Sequence, residues 1–147
     1  MRAFTILALS ATLAACAAPK PTNIVAGEAC YRCKRPIVQA EYAAEQVQPN
    51  GLGSKFRTVH CMATWIAQQR EPVDGQYYVT DFARRRFIKA ERASFVRVVI
   101  NPNTMERDFI AFADADAAAE AARANQATVV AWADVLEMGR AQPVGGN

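Results

Sequence analysis

An apolar-rich run from Ala3 to Leu13, led by Arg2 and ended by Leu13-Ala14-Ala15-Cys16, decides which part of this chain is available to fold. A membrane-crossing helix needs roughly 20 apolar residues. This run falls short of that before Pro19, Lys20 and Pro21 break it, so it reads as an export signal. Leu-Ala-Ala-Cys matches a lipoprotein box, in which cleavage follows residue 15 and Cys16 carries a thioether-linked diacylglycerol. Two acyl chains suffice for stable anchoring. The competing reading is an ordinary secretory signal that leaves Cys16 free or discards it. On the lipoprotein reading, residues 1–15 are the signal peptide and 16–27 a lipidated tether. Residues 28–138 are one folded domain and 139–147 a flexible tail containing Pro143, Gly145 and Gly146. The expected location is the periplasm, anchored to the membrane.

A domain of this size can bury about two thirds of its unfolded surface and needs no disulfide for stability. The formal charge of the whole chain is +3 and falls by one when Arg2 leaves. That balance is too weak for a nucleic-acid binder, and no nucleic-acid partner is expected. Lipidation would consume Cys16 and leave Cys30, Cys33 and Cys61. In an oxidising compartment an odd count means one disulfide and a free thiol, or thiols retained for a purpose such as metal binding.

The hydrophobic pattern gives an α+β fold of two strand-strand-helix halves in one small domain. Strands are expected at Ile37–Val47 and Lys55–Val59, with Pro49-Asn50-Gly51 turning between them, followed by a helix over Cys61–Arg70. The second half offers strands at Tyr77–Phe82, Phe87–Lys89, Phe95–Ile100 and Phe109–Phe112. A helix capped by Asp114 then runs to about Asn125, and Thr128–Trp132 reads as a last strand.

Chemistry concentrates in Cys30-Tyr31-Arg32-Cys33 and His60-Cys61-Met62. Folding back of the first hairpin would bring the CxxC knuckle to the start of the helix. There the macrodipole and nearby cations enrich the thiolate. Met105 lies in the polar loop Asn101–Glu106, where a core methionine is out of place, so it is a candidate thioether donor. Bland readings stand beside these. The CxxC is also compatible with a disulfide or a zinc half-site, His60 with a surface histidine, and Met62 with core packing beside Trp65 and Ile66. Taken together, Cys30, Cys33, His60, Cys61, Met62 and Met105 form a candidate metal set. Its softness suits Cu(I), while three thiolates and an imidazole equally satisfy zinc. Cys33 runs into Lys34-Arg35-Pro36 and a strand, unlike a thioredoxin motif, and no hydrolase pattern is present, so no enzyme activity is expected. The run Arg84-Arg85-Arg86 is either a solvated turn or a dock for an acidic partner or anionic lipid.

From about Cys30 to Leu136 the order of these features resembles the NosL-like lipoproteins, accessory proteins of nitrous oxide reductase. The resemblance is carried by Cys16, the CxxC, Phe56–Met62, Tyr78–Phe82 leading into Phe87–Ala90, Phe95-Val96, Met105 and Ala111–Asp114. It implies a periplasmic Cu(I) chaperone that supplies copper during maturation of nitrous oxide reductase or a related copper enzyme, with two related halves. Family members commonly follow the CxxC with Gly-Met, where this chain has Lys34-Arg35. They also frame the downstream methionine as Thr-Pro-Met-Gly, where this chain has Asn103-Thr104-Met105-Glu106. The alternative function is a lipoprotein adaptor held by structural zinc or by a disulfide.

Overall fold

The computed structural model describes residues 18–141. The expected signal peptide, the expected lipidation site Cys16 and residues 142–147 of the expected tail lie outside them. The described chain is α+β, as the hydrophobic pattern predicts, but it has three helices where the pattern gave two, and the strands near Tyr77–Phe82 and Phe87–Lys89, expected in the second half, pair into the first of its two small antiparallel sheets. The first sheet has the order β2-β1-β3-β4, built from β1 (Ala44–Val47), β2 (Gly53–Phe56), β3 (Gln76–Thr80) and β4 (Phe87–Lys89). Between β2 and β3 lies helix α1 (Val59–Ala67). The second sheet has the order β6-β5-β7, from β5 (Ser94–Asn101), β6 (Glu106–Phe112) and β7 (Val129–Val130). Helix α2 (Ala115–Ala124) precedes β7 and α3 (Trp132–Arg140) follows it.

The alternation along β5 and β6 divides the core in two. Val96, Val98, Ile100, Ile110 and Phe112 face Ala118 and Ala122 of α2, whose small side chains let the helix lie close to the sheet. Phe95, Phe109 and Ala111 point the other way, into the main core with Phe56, Met62, Val79, Trp132 and Val135. Asp114 caps α2 as expected, its carboxylate accepting the Ala117 N–H at 2.9 Å.

Several boundaries differ from the sequence reading, each for a local reason. The expected strand Ile37–Val47 pairs in the ladder only from Ala44, because Ala40–Tyr42 forms a single 3-10 turn. The expected strand Lys55–Val59 stops at Phe56. Thr58 Oγ1 accepts the Cys61 N–H at 3.2 Å and starts the helix at Val59, two residues earlier than expected. The expected strand Thr128–Trp132 shrinks to Val129–Val130, and Trp132 opens α3. The Asp134 carboxylate takes the Ala131 N–H at 2.9 Å and fixes that turn. The expected tail therefore begins too early: Gly139 is buried within α3. The expected tether also ends earlier than residue 27. Tyr78 Oη donates to the Pro19 carbonyl at 2.7 Å, Thr22 N–H donates to Glu45 Oε2 at 2.9 Å, and Ile24 packs on the main core.

Candidate metal centre

The cysteine knuckle is built by hydrogen bonds within the segment. Cys30 N–H donates to the Arg35 carbonyl at 2.8 Å and Lys34 N–H to the Cys30 carbonyl at 3.0 Å. Lys34 turns the chain with φ 61° in the left-handed region. Tyr31 N–H donates to the Lys55 carbonyl at 2.7 Å, which fastens the knuckle to β2. The Tyr31 ring meets Phe56 and Trp65 edge-on, at centroid separations of 6.0 and 5.7 Å. Cys61 occupies the first turn of α1. The hairpin β1–β2 thus folds back and delivers the knuckle to the helix start.

The three sulfurs of Cys30, Cys33 and Cys61 lie within 4.8 Å of one another, and those of Cys33 and Cys61 are 3.8 Å apart. Metal–thiolate bonds of roughly 2.3 Å place two sulfurs on one ion about 4 Å apart. The spacing therefore fits a shared soft ion. All three are free thiols. Cys30 and Cys61 are buried and Cys33 is half-buried. The neighbouring Cys61 thiol, with backbone N–H groups of Arg57 and Cys33, outweighs desolvation and holds the Cys30 thiol down to about 4. Cys61 is pushed upward by its contact with Cys30, by burial, and by the charges of Cys30 and Cys33 beside it.

The other three sequence candidates are placed differently. His60 is half-buried beside the cluster, with Nε2 3.3 Å from Thr64 Oγ1. Among the described residues, the donor group formed by His, Cys, Asp and Glu side chains contains the three cysteines alone. Met62 is fully buried in the main core. Met105 stands at the tip of the β5–β6 hairpin, 66 % exposed and with φ 56°.

Two residues with no assigned role in the sequence reading shape this corner. Asp108, fully buried on β6, accepts the His60 N–H at 2.9 Å and the Phe109 N–H at 2.7 Å, tying the start of α1 to the second sheet. Burial pushes its carboxyl up, against the pull of these donors and the Thr58 hydroxyl. Arg57 pairs with Glu106, the residue after Met105, and its charge acts on the neighbouring Cys61 and Cys33. An acid next to Phe109-Ile110 and a cation next to a helix cap were the available signals. Of the basic run, Arg84 pairs with Asp81 at 3.2 Å and Arg85 with Glu41 at 2.9 Å, so two of its three charges have partners within the domain.

The model of the NosL family matches residues 21–138. The chain belongs to the NosL family. No curated protein matches it. Among solved structures, it is similar to the crystal structure of the copper chaperone NosL from Shewanella denitrificans. That likeness has a TM-score of 0.65 at 15 % identity and covers 79 % of this chain and 95 % of that one. At such identity the likeness establishes a shared NosL fold. The three-cysteine group is this chain's own evidence for a metal.

Proposed function

We propose that this NosL-family protein is a Cu(I) chaperone, not an enzyme, lipidated at Cys16 and anchored at the periplasmic face of the membrane. Cys30, Cys33 and Cys61 hold the ion, and Met105 or His60 completes the site transiently. The observation that carries this reading is the convergence of three sulfurs from a knuckle and a helix start into one group. Soft thiolates favour Cu(I). A three-sulfur site is low-coordinate, and half-buried Cys33 leaves an approach for a receiving thiolate or imidazole. The ion then passes by ligand exchange. The copper-receiving partner is nitrous oxide reductase, its maturation machinery or a related copper enzyme, as the family resemblance implies.

Anaerobic titration of the reduced mature chain with Cu(I) and Zn(II), read by native mass spectrometry against competing chelators, tests this. One Cu(I) per chain, retained over zinc and lost in Cys61→Ser, is the expected result. Met105→Ala should weaken retention severalfold without changing the fold. Zinc preference with unfolding on metal removal would instead support the structural-zinc adaptor, which the same three thiolates also suit.

A further inference from the structure

Arg57 directly precedes Thr58, whose hydroxyl holds the Cys61 N–H at 3.2 Å, and its side chain turns to Glu106 of the second sheet. From there its charge acts on Cys61 and its polar groups on Cys30 and Cys33. The side chain is mostly buried, and its Nε has no acceptor among the described residues. Glu106 answers part of this charge from the β5–β6 hairpin and is itself about a third exposed. A fixed cation therefore stands against the site, with a partly solvated anion behind it.

We propose that Arg57, tuned by Glu106, sets the preference of the trithiolate site for a monovalent over a divalent ion. The proposal rests on the Cu(I)-chaperone reading. Three thiolates carry −3, so a bound Cu(I) leaves −2 and a bound Zn(II) leaves −1. Both ions displace the same thiol protons, so whatever Arg57 does to thiol ionisation cancels in the ratio of their affinities. The direct repulsion does not cancel. Arg57 opposes a dipositive ion with twice the force it exerts on a monopositive one. It thus disfavours zinc more than copper, whereas Glu106 acts in the opposite sense and more weakly because it is farther out and better screened.

The test is the Cu(I)-to-Zn(II) affinity ratio of the full mature chain in detergent, by chelator competition at one pH. Arg57→Gln should move the ratio toward zinc by about tenfold, equivalent to ~1.4 kcal/mol. Arg57→Lys, which keeps the charge, should stay within about threefold of the wild type, and Glu106→Gln should move the ratio toward copper. A merely structural ion pair would be broken by both neutral variants and would shift them the same way. Shifts of the same sign, or no shift in either, overturn the proposal. A wild-type chain that binds no Cu(I) overturns the chaperone reading first, and is recognised before any variant is compared.

Discussion

Glu45 and Gln46 stand side by side on β1, an inner strand of the first sheet, both without exposed surface. Gln46 is served by the Asp74 carbonyl, to which its amide donates at 2.8 Å. Glu45 accepts from the Thr22 N–H at 2.9 Å and the Thr22 hydroxyl at 3.1 Å. Burial outweighs both contacts and raises its carboxyl above the ordinary range. A raised carboxyl favours folding below its unfolded value, and that contribution is lost as pH rises through the folded value. At neutral pH the ionised Glu45 is therefore a liability. Glu45→Gln keeps an oxygen for Thr22 and removes the buried charge, so it should stabilise the protein by about 1 kcal/mol at pH 7. The gain should shrink toward pH 4, and thermal melts of the two proteins across that range would show it. An unchanged or lower melting temperature at pH 7 would contradict the account.

Between elements, α3 lies tightly against α1 at Gly139. A Cβ on Gly139 would lie 2.8 Å from the Ala63 carbonyl carbon and 3.0 Å from the Thr64 nitrogen, both backbone atoms that cannot turn aside. Gly139→Ala should therefore destabilise by about 1–3 kcal/mol despite the better helix propensity of alanine, seen as a lower urea midpoint. A neutral or stabilised variant would mean that the helices can slide apart freely. The spacing Trp132, Val135, Leu136, Gly139 is helical and was legible in principle. It was masked by the β-branched run Thr128-Val129-Val130, which drew the last strand through Trp132. Helix α2 was readable because Asp114 and the alanine face agree. The three cysteines were readable because their chemistry survives any boundary error. Arg57–Glu106 and His60–Asp108 were not, since the partners are 49 and 48 residues apart and no periodicity links them. The same distance in sequence explains why Met105 was legible as a soft donor while its position, exposed on the hairpin that pairs with Arg57, was not.

At the scale of the molecule, the two sheets meet at a seam centred on Asp81. Its carboxylate accepts N–H groups of Ala83 and Arg84 within its own turn, at 3.0 and 3.1 Å, and the Ala113 N–H just beyond β6 at 3.2 Å. Beside it the Phe82 N–H donates to the Ala111 carbonyl at 2.8 Å, and Asp81 and Ala111 form a parallel bridge. Desolvation would raise this carboxyl, but the Arg84 and Ala113 N–H groups and the Arg84 guanidinium together hold it below its ordinary value of 3.8. Its contribution to stability is thus present above the unfolded carboxylate pKa and is lost as pH falls through the lower folded value. Asp81→Ala leaves those buried donors unpaired and should cost about 2–4 kcal/mol at pH 7. Because Phe95, Phe109 and Ala111 of the second sheet also fill the main core, wild type should melt in one transition. The variant is expected to melt earlier, and its deficit should narrow below about pH 4, where the Asp81 carboxylate of the unfolded chain begins to take up a proton that the folded chain still refuses. Urea unfolding of both proteins at pH 7 and pH 3, followed by tryptophan fluorescence and far-UV circular dichroism, measures the deficit and the coincidence of the two signals. A deficit that persists undiminished at the lower pH would mean that packing at the seam, and not the carboxylate, joins the sheets.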